Sequence, residues 1–310
     1  MKLVWLVLGA LCVFNGAQAA APAFTWQWSA TNLALLNHGK IVWQAVFDPA
    51  QGKPYINPLA TLAGTEITAL RPADHLWHRG LWWSWKYINH ANYWEEDKQT
   101  GLSAGRTDLT HSQVQANDNF SARVELELSY HLPDQPPVMR EQRLLLFHPP
   151  TADGRYAIDW TTTFTAEQDA LLDRTPPKRD KQGLITGGSY AGLGVRFPRT
   201  FTNTWTFLNS TGERGQREGS GHGASWLDFS GLLPDGQTAG VTVLDHPSNV
   251  RHPTPWYWNP TLPFFCAALL ANEPLQLKAG DTLKLRYRIL VHEGAPQPKW
   301  IEQQWQEFTQ

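Results

Sequence analysis

The sequence predicts an all-β protein, a large antiparallel β-sandwich that ends in a short helix. Apolar and polar residues alternate strictly at 123–130, the period-2 pattern of a strand with one solvent-facing side, and the segment 283–292 alternates as a half-exposed strand. The 16 tryptophans and 22 prolines, against 2 methionines, indicate a rigid, loop-rich β protein rather than a helical bundle. More than ten strands are predicted, which is enough for two packed sheets that are curved and leave a ligand cleft. A supersandwich-like arrangement is one form that such a sandwich can take.

The first half of the chain is predicted to be mostly strands. Short β-type runs lie at 25–29, 33–36 and 41–46. Prolines and Gly52 in the segment 48–60 predict a loop, which leads through a short run at 65–68 to the segment 74–96. Two further strands, at 140–147 and 157–164, follow 123–130 closely, so antiparallel pairing of neighbours is expected.

The second half alternates strands with long loops. The charged window 173–183 predicts a solvated loop, and 187–198 predicts a strand entered through glycines, where backbone or ligand can approach closely. A second glycine-rich loop, 209–225, follows. Further strands are predicted at 226–229 and 239–245. The helix is predicted to begin after Pro298, and its packed side contains Trp300, Ile301, Trp305 and Phe308.

The charge balance excludes partners that are bound by bulk charge. The chain has 26 basic and 28 acidic residues, a net charge of -2, and no basic run or acidic tail. This balance indicates neither a nucleic-acid nor an anionic-membrane partner. The glycine-rich stretch 187–198 lacks the Lys-Ser/Thr ending of a phosphate loop. No cofactor is predicted. The expected ligand is a small molecule or an oligosaccharide. The oligomeric state is left open.

The N-terminus has the pattern of a secretory signal peptide. Lys2 is followed by the apolar stretch 3–14 and by the small-x-small sequence 17–19, which predicts a signal peptide at 1–19 and a single mature domain at 20–310. A periplasmic or secreted location follows. Removal of Cys12 leaves Cys266 alone, so no intramolecular disulfide is expected.

The segment 74–96 concentrates the chemistry-bearing residues. It contains three histidines, five tryptophans, an arginine and the adjacent acids Glu95 and Glu96. Aromatic faces beside imidazole, guanidinium and carboxylate groups suit a polyhydroxylated ring that has an apolar face and polar edges. A tryptophan-rich core is the alternative explanation for the aromatic residues alone.

A second unusual segment lies at 245–258. Its three prolines stiffen the loop and so lower the entropy cost of holding polar side chains in place. Those side chains are His246, Asn249, Arg251, His252 and Tyr257. A preorganised polar loop between strands is a usual place for an active site.

Three kinds of chemistry are compatible with these residues. Elimination from a uronic acid or an oxidised sugar needs a base such as His78 and a cation such as Arg79 to neutralise the enolate. Hydrolysis by two carboxylates is weaker, because neighbours such as Glu95 and Glu96 face opposite ways on a strand. A metal site at His75-x-x-His78 would need a turn or helix to bring the imidazoles together, and no metal is predicted.

Four segments resemble a bacterial family often labelled PmoA-like, the DUF6807 group. They are 75–82, 92–96, 192–196 and 246–257. The resemblance implies an exported β-sandwich associated with polysaccharide breakdown, in some members a lyase or dehydratase acting on modified oligosaccharides. The label points to an integral membrane methane-oxygenase subunit, an activity not expected here because no later apolar run is long enough to span a bilayer.

The resulting hypothesis is an exported carbohydrate-active enzyme of the lyase or dehydratase type. A carbohydrate-binding protein without catalysis and a metal-dependent hydrolase or oxygenase are the alternatives. The predicted catalytic residues are His78, His252 and Tyr257. The predicted substrate-binding residues are Arg79, Trp82, Asn92, Trp94, Glu95, Arg196, Asn249, Arg251 and Trp256. The assignment requires the two unusual segments to form opposite walls of one pocket.

Overall fold

Two large antiparallel sheets pack face to face in a computed structural model that describes residues 23–201, 203–215, 220–259 and 262–310. The predicted all-β sandwich with a C-terminal helix is confirmed. The predicted signal peptide at 1–19 lies outside the described residues and stays a prediction.

Strands joined by turns and loops follow one another along the described chain. In chain order they are β1 (Phe24–Trp28), β2 (Asn32–Asn37), β3 (Lys40–Val46), β4 (Tyr55–Leu59), β5 (Leu81–Ser84), β6 (Tyr87–Ile88), β7 (Ala91–Asn92), β8 (Arg106–Ala116), β9 (Ala122–His131), β10 (Met139–Phe147), β11 (Tyr156–Ala166), β12 (Ala170–Asp173), β13 (Lys178–Arg179), β14 (Ile185–Gly187), β15 (Gly192–Arg196), β16 (Thr206–Asn209), β17 (Arg214–Gly215), β18 (Trp226–Leu232), β19 (Thr238–Asp245), β20 (Trp256–Asn259), β21 (Leu262–Ala267), β22 (Leu275–Leu277) and β23 (Thr282–Glu293). Single 3₁₀ turns occur at Pro49–Gln51 and Arg199–Phe201, and the helix α1 covers Pro298–Thr309.

Both large sheets draw strands from the two halves of the chain. The eight-stranded sheet has the order β1-β2-β3-β4-β5-β15-β21-β20, and the nine-stranded sheet has the order β17-β16-β18-β19-β23-β11-β10-β9-β8. Two smaller sheets, β22-β12-β6-β7 and β13-β14, lie beside them. Distant segments therefore become neighbours, and β15 pairs with both β5 and β21.

Side-chain alternation sends neighbouring residues of the eight-stranded sheet into two different clusters. Trp83 enters the main core between the sheets, where its ring lies 5.4 Å from that of Phe164 on β11. Trp82 belongs to a second apolar cluster with Phe264 and Tyr257. The outer face of this sheet is therefore also covered, which explains why every residue of β5 is buried.

Several details differ from the sequence predictions. The predicted loops 173–183 and 209–225 contain the two-residue strands β13 and β17, which pair with β14 and β16. The segment 48–60 was expected to be a loop, but it contains β4, which pairs with β3 at Tyr55, Ile56 and Leu59. Pro58 is compatible with this strand because it falls in the register shift and has no ladder partner. The edge strand β8 was not anticipated, since its polar sequence alternates only weakly between buried and exposed positions.

The predicted terminal helix is present and packs as expected. Ile301 and Phe308 are buried, while Trp300 and Trp305 are partly buried against the same cluster. Among the described helices, none has both the length and the apolar character that crossing a bilayer would require.

Candidate functional site

A cavity of about 330 Å³ opens on the outer face of the eight-stranded sheet. It is lined by Asp74, His75, Trp77, His78, Trp94, Tyr190, Tyr257, Asn259, Leu262 and Phe264. Aromatic rings form most of its surface, and imidazole, carboxylate, phenol and amide groups lie among them. Pockets of this size and composition are typical of small-molecule sites.

Successive turns bring His75 and His78 together. The amide of His75 donates to Pro72 O at 2.9 Å, and the amide of His78 donates to His75 O at 3.0 Å. The two imidazole rings consequently stack with centroids 4.7 Å apart. On a strand these side chains would face opposite ways, so the turn is what makes both available to one ligand.

Gly80 holds this turn against β4. Its φ is +67°, and a Cβ built there would lie 2.6 Å from Asn57 Oδ1 and 2.7 Å from Ile56 O. Only glycine combines that backbone conformation with that close approach. The glycine of the His-Arg-Gly sequence thus fixes where His78 enters the cavity.

His78 is packed among aromatic rings and is uncharged at neutral pH. Its ring centroid lies 5.0 Å from Trp82 and 4.8 Å from Phe264. Burial, together with the charges of His75 and Arg196, holds the pKa of His78 well below its usual value. Within the described residues its Nδ1 has no hydrogen-bond partner. A neutral imidazole of this kind is able to accept a proton.

Asp74 is held by Arg196, which lies fully buried on β15. Nη2 of Arg196 donates to both carboxylate oxygens, at 2.8 and 3.0 Å. Burial acts to raise the pKa of Asp74, but the hydrogen bond and charge of Arg196 lower it below its usual value. Arg196 therefore supports the cavity through Asp74, and Asp74 stays ionised.

Glu95 is the centre of a polar cluster behind Tyr190. The Tyr190 hydroxyl donates to it at 3.1 Å, Asn92 Nδ2 donates at 2.7 Å, and Lys86 forms an ion pair with it. Burial acts to raise the pKa of Glu95, yet Lys86 and Asn92 lower it below its usual value. Asn92 and Glu95 therefore orient Tyr190, which in turn faces the cavity.

Two tyrosines that line the cavity keep their protons at neutral pH. Burial raises the pKa of Tyr257 to about 12. Burial and the neighbouring charge of Glu95 raise that of Tyr190 as well. The two rings lie 5.9 Å apart, and Tyr190 also contacts Trp94 at 5.2 Å. Both hydroxyls are therefore hydrogen-bond donors to a ligand or to their neighbours.

Of the residues predicted from the first segment, His78 and Trp94 line the cavity. Trp82 lies fully buried beneath the ring of His78 and supports it from below. Arg79 does not line this cavity, because its guanidinium donates to Glu96 at 2.5 and 3.1 Å on the far side of the segment. The expected role of Arg79 as an anion clamp for this pocket is therefore not met.

The second segment reaches the cavity only through Tyr257. His252 Nδ1 hydrogen-bonds Asp245 at 2.8 Å, and its ring stacks parallel to Trp305 of α1 at 6.4 Å. The other predicted residues have structural partners as well. Asn249 bonds Asp245 and Arg286, Arg251 donates to the carbonyls of Leu269, Glu273 and Pro274, and buried Trp256 donates to Ala224 O.

The expectation that His252 shares a pocket with His78 is thus not met. The loop 246–255 precedes β20 and packs against α1, whereas Tyr257 projects from the strand itself onto the outer face. Sequence reasoning placed no site role on Trp77, Tyr190 or Phe264. For Tyr190 the signal was present, since flanking glycines at 187–188 and 192 mark a place of close approach.

The donor set shows no preformed metal centre. Within the described ranges, no three His, Cys, Asp or Glu side chains are grouped in a way that could hold a metal ion.

Several solved structures resemble the fold at very low identity. A galactose 1-epimerase from Lactobacillus acidophilus NCFM has a TM-score of 0.38 and 9% identity, over 89% of this chain and 100% of that one. An α-galactosidase from Lactobacillus brevis gives 0.39 and 9%, over 88% and 40%. A polysaccharide lyase gives 0.29 and 11%, over 90% and 33%. At these scores the activities in their names are not transferred to this chain.

Sequence comparison identifies the family without identifying an activity. No curated protein matches the sequence. The model of a family of unknown function, DUF6807, matches residues 32–306, which is most of the chain. The protein belongs to the DUF6807 family.

Proposed function

We propose that the protein is an exported carbohydrate-active enzyme that catalyses an acid–base elimination, of the lyase or dehydratase type, on a modified oligosaccharide. The observation that carries this proposal is the neutral His78, which lines an aromatic cavity beside two protonated tyrosines. A base and hydroxyl donors around one stacking surface are the groups that such a reaction needs.

The cavity suits a sugar ring in both shape and chemistry. Trp77, Trp94 and Phe264 offer flat apolar faces, on which the C–H face of a pyranose can stack. Asp74 and Asn259 offer polar groups at the edges, where ring hydroxyls would hydrogen-bond.

The charges of the cavity favour an oxidised, uncharged sugar over a uronic acid. Arg196 already donates to both oxygens of Asp74, and Lys86 is paired with Glu95. Among the described residues no Lys or Arg lines the cavity, so no cation there is placed to clamp a carboxylate. A carbonyl on the sugar ring acidifies the neighbouring C–H bond without adding charge, so a keto-sugar fits this site better.

In the proposed reaction His78 removes the proton next to the sugar carbonyl. The electrons of the C–H bond form the carbon–carbon double bond, and the bond to the β-oxygen substituent breaks with its electron pair. Tyr257 donates a hydrogen bond to the departing oxygen, which takes up the proton released to His78 or one from water, while the Tyr190 hydroxyl stays bonded to Glu95. The products are an unsaturated keto-sugar and an alcohol.

Hydrolysis by two carboxylates fits the site less well. That mechanism needs one carboxylic acid whose pKa is raised enough to keep its proton. The two carboxylates near the cavity, Asp74 and Glu95, both have lowered pKa values because each is bound to a cation. Neither is suited to the role of general acid.

The test is an absorbance assay with the mature protein on 3-keto and uronic-acid-containing oligosaccharides. We expect new ultraviolet absorbance from the unsaturated product, and a loss of about 10²-fold or more in rate for His78→Asn. The matched control is His90→Asn, at an exposed position with φ +67° that asparagine tolerates. Because the pKa of His78 is lowered, the acidic limb of the rate profile should lie below pH 6.5.

An unchanged rate in His78→Asn would contradict the mechanism. Saturable sugar binding with no product from either class of substrate would instead indicate a carbohydrate-binding protein.

A further inference from the structure

A second cavity, of about 400 Å³, lies behind the first. The two are separated by the segment that carries Trp94, whose carbonyl accepts a hydrogen bond from Lys53 Nζ at 2.8 Å. Lys53, Arg79, Glu96 and Arg106 line the second cavity. None of the proposed sugar chemistry uses these four side chains.

The inner wall of this cavity carries more positive than negative charge. Glu96 is paired with Arg79 at 2.5 Å and, from outside the cavity lining, with Arg71 at 3.1 Å, so two guanidinium groups already share one carboxylate. The Lys53 amine lies 3.5 Å from the same carboxylate. The side chains of Lys53, Arg79 and Glu96 are all buried, which leaves water little access to screen the excess charge. Burial lowers the pKa of Lys53 to about 7, with Glu96 acting to raise it and Arg79 to lower it.

Arg106 adds a further cation to the same cavity. It lies at the start of β8, and among the described residues its guanidinium has no ion-pair partner. The acids nearby, Asp108 and Asp134, are exposed at the rim, and Asp108 already hydrogen-bonds His131 at 2.9 Å. The buried end is therefore cationic while the open end is mixed.

We propose that this second cavity binds an oxyanion, a carboxylate or sulfate group, between Lys53 and Arg106. An anion at this place would neutralise the charge that Glu96 leaves uncompensated. The lining residues include no Phe, Tyr or Trp, so the site recognises charge and does not stack a sugar ring. This inference does not depend on the proposed elimination.

The test is calorimetric titration of the full-length mature protein with sulfate at constant ionic strength. We expect saturable binding that weakens about tenfold in Arg106→Gln, which loses one charge-assisted hydrogen bond. The matched control is Arg123→Gln, at a partly exposed arginine paired with Glu125 on β9, and this variant should bind sulfate as the natural protein does. Because Lys53 is buried, Lys53→Met serves as a second variant, and its folding is checked by thermal melting.

Absence of saturable sulfate binding would overturn the proposal, as would equal affinities for Arg106→Gln and Arg123→Gln. Competition identifies the source of the anion. Displacement of sulfate by glucuronate, but not by methyl glucoside, would assign the site to an acidic sugar, and displacement by acetate as well would assign it to any carboxylate. His78→Asn should bind sulfate normally, which separates this inference from the proposed reaction.

Discussion

Asp228 shows how a single buried carboxylate is stabilised in this protein. It accepts hydrogen bonds from Ser230 at 2.5 Å and Thr242 at 2.7 Å, and His292 Nε2 lies 2.8 Å away. Gly240 leaves room for the group, because a Cβ there would lie 2.9 Å from His292 Nε2. Burial acts to lower the pKa of His292, but the charge and hydrogen bond of Asp228 raise it above its usual value.

We predict that this pair makes stability depend on pH. Because the folded pKa of His292 is raised, its contribution is complete below the unfolded value near pH 6.5 and is lost as pH rises through the folded pKa. His292→Leu leaves a buried carboxylate without its charge partner and should cost about 3 kcal/mol at pH 6.

Urea unfolding of both proteins at pH 6 and pH 9 checks this prediction. The difference in unfolding free energy between the natural protein and the variant should be smaller at pH 9. A difference that is equal or larger at pH 9 would show that His292 is not protonated in the folded state.

At the scale of elements, the loop 246–255 serves to attach α1 to the sandwich. Trp305 of the helix donates to Asp245 O at 3.0 Å and stacks on His252, whose Nδ1 bonds the carboxylate of Asp245. Phe308 lies against the ring of His246 at 5.2 Å. Two of the polar residues that make this segment unusual in the sequence, His246 and His252, are therefore engaged in packing the helix.

We predict that His252→Ala lowers stability and leaves catalysis unchanged. The variant loses the bond to Asp245 and the stacking on Trp305, which should cost about 1–3 kcal/mol. Thermal melting and the absorbance assay measure the two effects separately. If a folded His252→Ala protein lost as much activity as His78→Asn, His252 would have a catalytic role after all.

At the scale of the whole molecule, Tyr156 links the two large sheets. It stands on β11 of the nine-stranded sheet, and its hydroxyl lies 3.0 Å from Ala60 O and 3.2 Å from Val42 O at the eight-stranded sheet. The ring is buried in the main core. This contact fixes the position of one sheet relative to the other near the end of β4.

We predict that Tyr156→Phe destabilises the fold by about 1 kcal/mol, since it removes a buried hydrogen bond and keeps the ring. Tyr87→Phe, at a partly exposed position on β6, is the control and should change stability little. Urea unfolding measures both. An unchanged unfolding free energy in Tyr156→Phe would mean that the hydroxyl contributes nothing to the packing of the sheets.

Much of the fold was predictable because strand patterns are local. The alternation at 123–130 marks β9, and the run at 157–164 marks β11. The aromatic spacing after Pro298 marks α1. Strand β4 was missed because a proline normally indicates that a segment is not a strand. Here a register shift leaves Pro58 without a ladder partner, and the position of such a shift depends on the partner strands. Edge strand β8 was missed because its polar pattern is weak.

The sequence by itself determined the class of fold and the segment 74–96 that contains His78 and Trp94, because periodicity and composition are properties of neighbouring residues. Only the tertiary structure decided which side chains share the cavity. Strand β15 pairs with β5 and with β21, and β21 pairs with β20, which brings Tyr257 and Phe264 to His78. The loop before β20 instead places His252 against α1. Likewise Arg79 forms an ion pair with Glu96. This pairing depends on distances in the folded protein, which the positions of the two residues in the sequence do not determine.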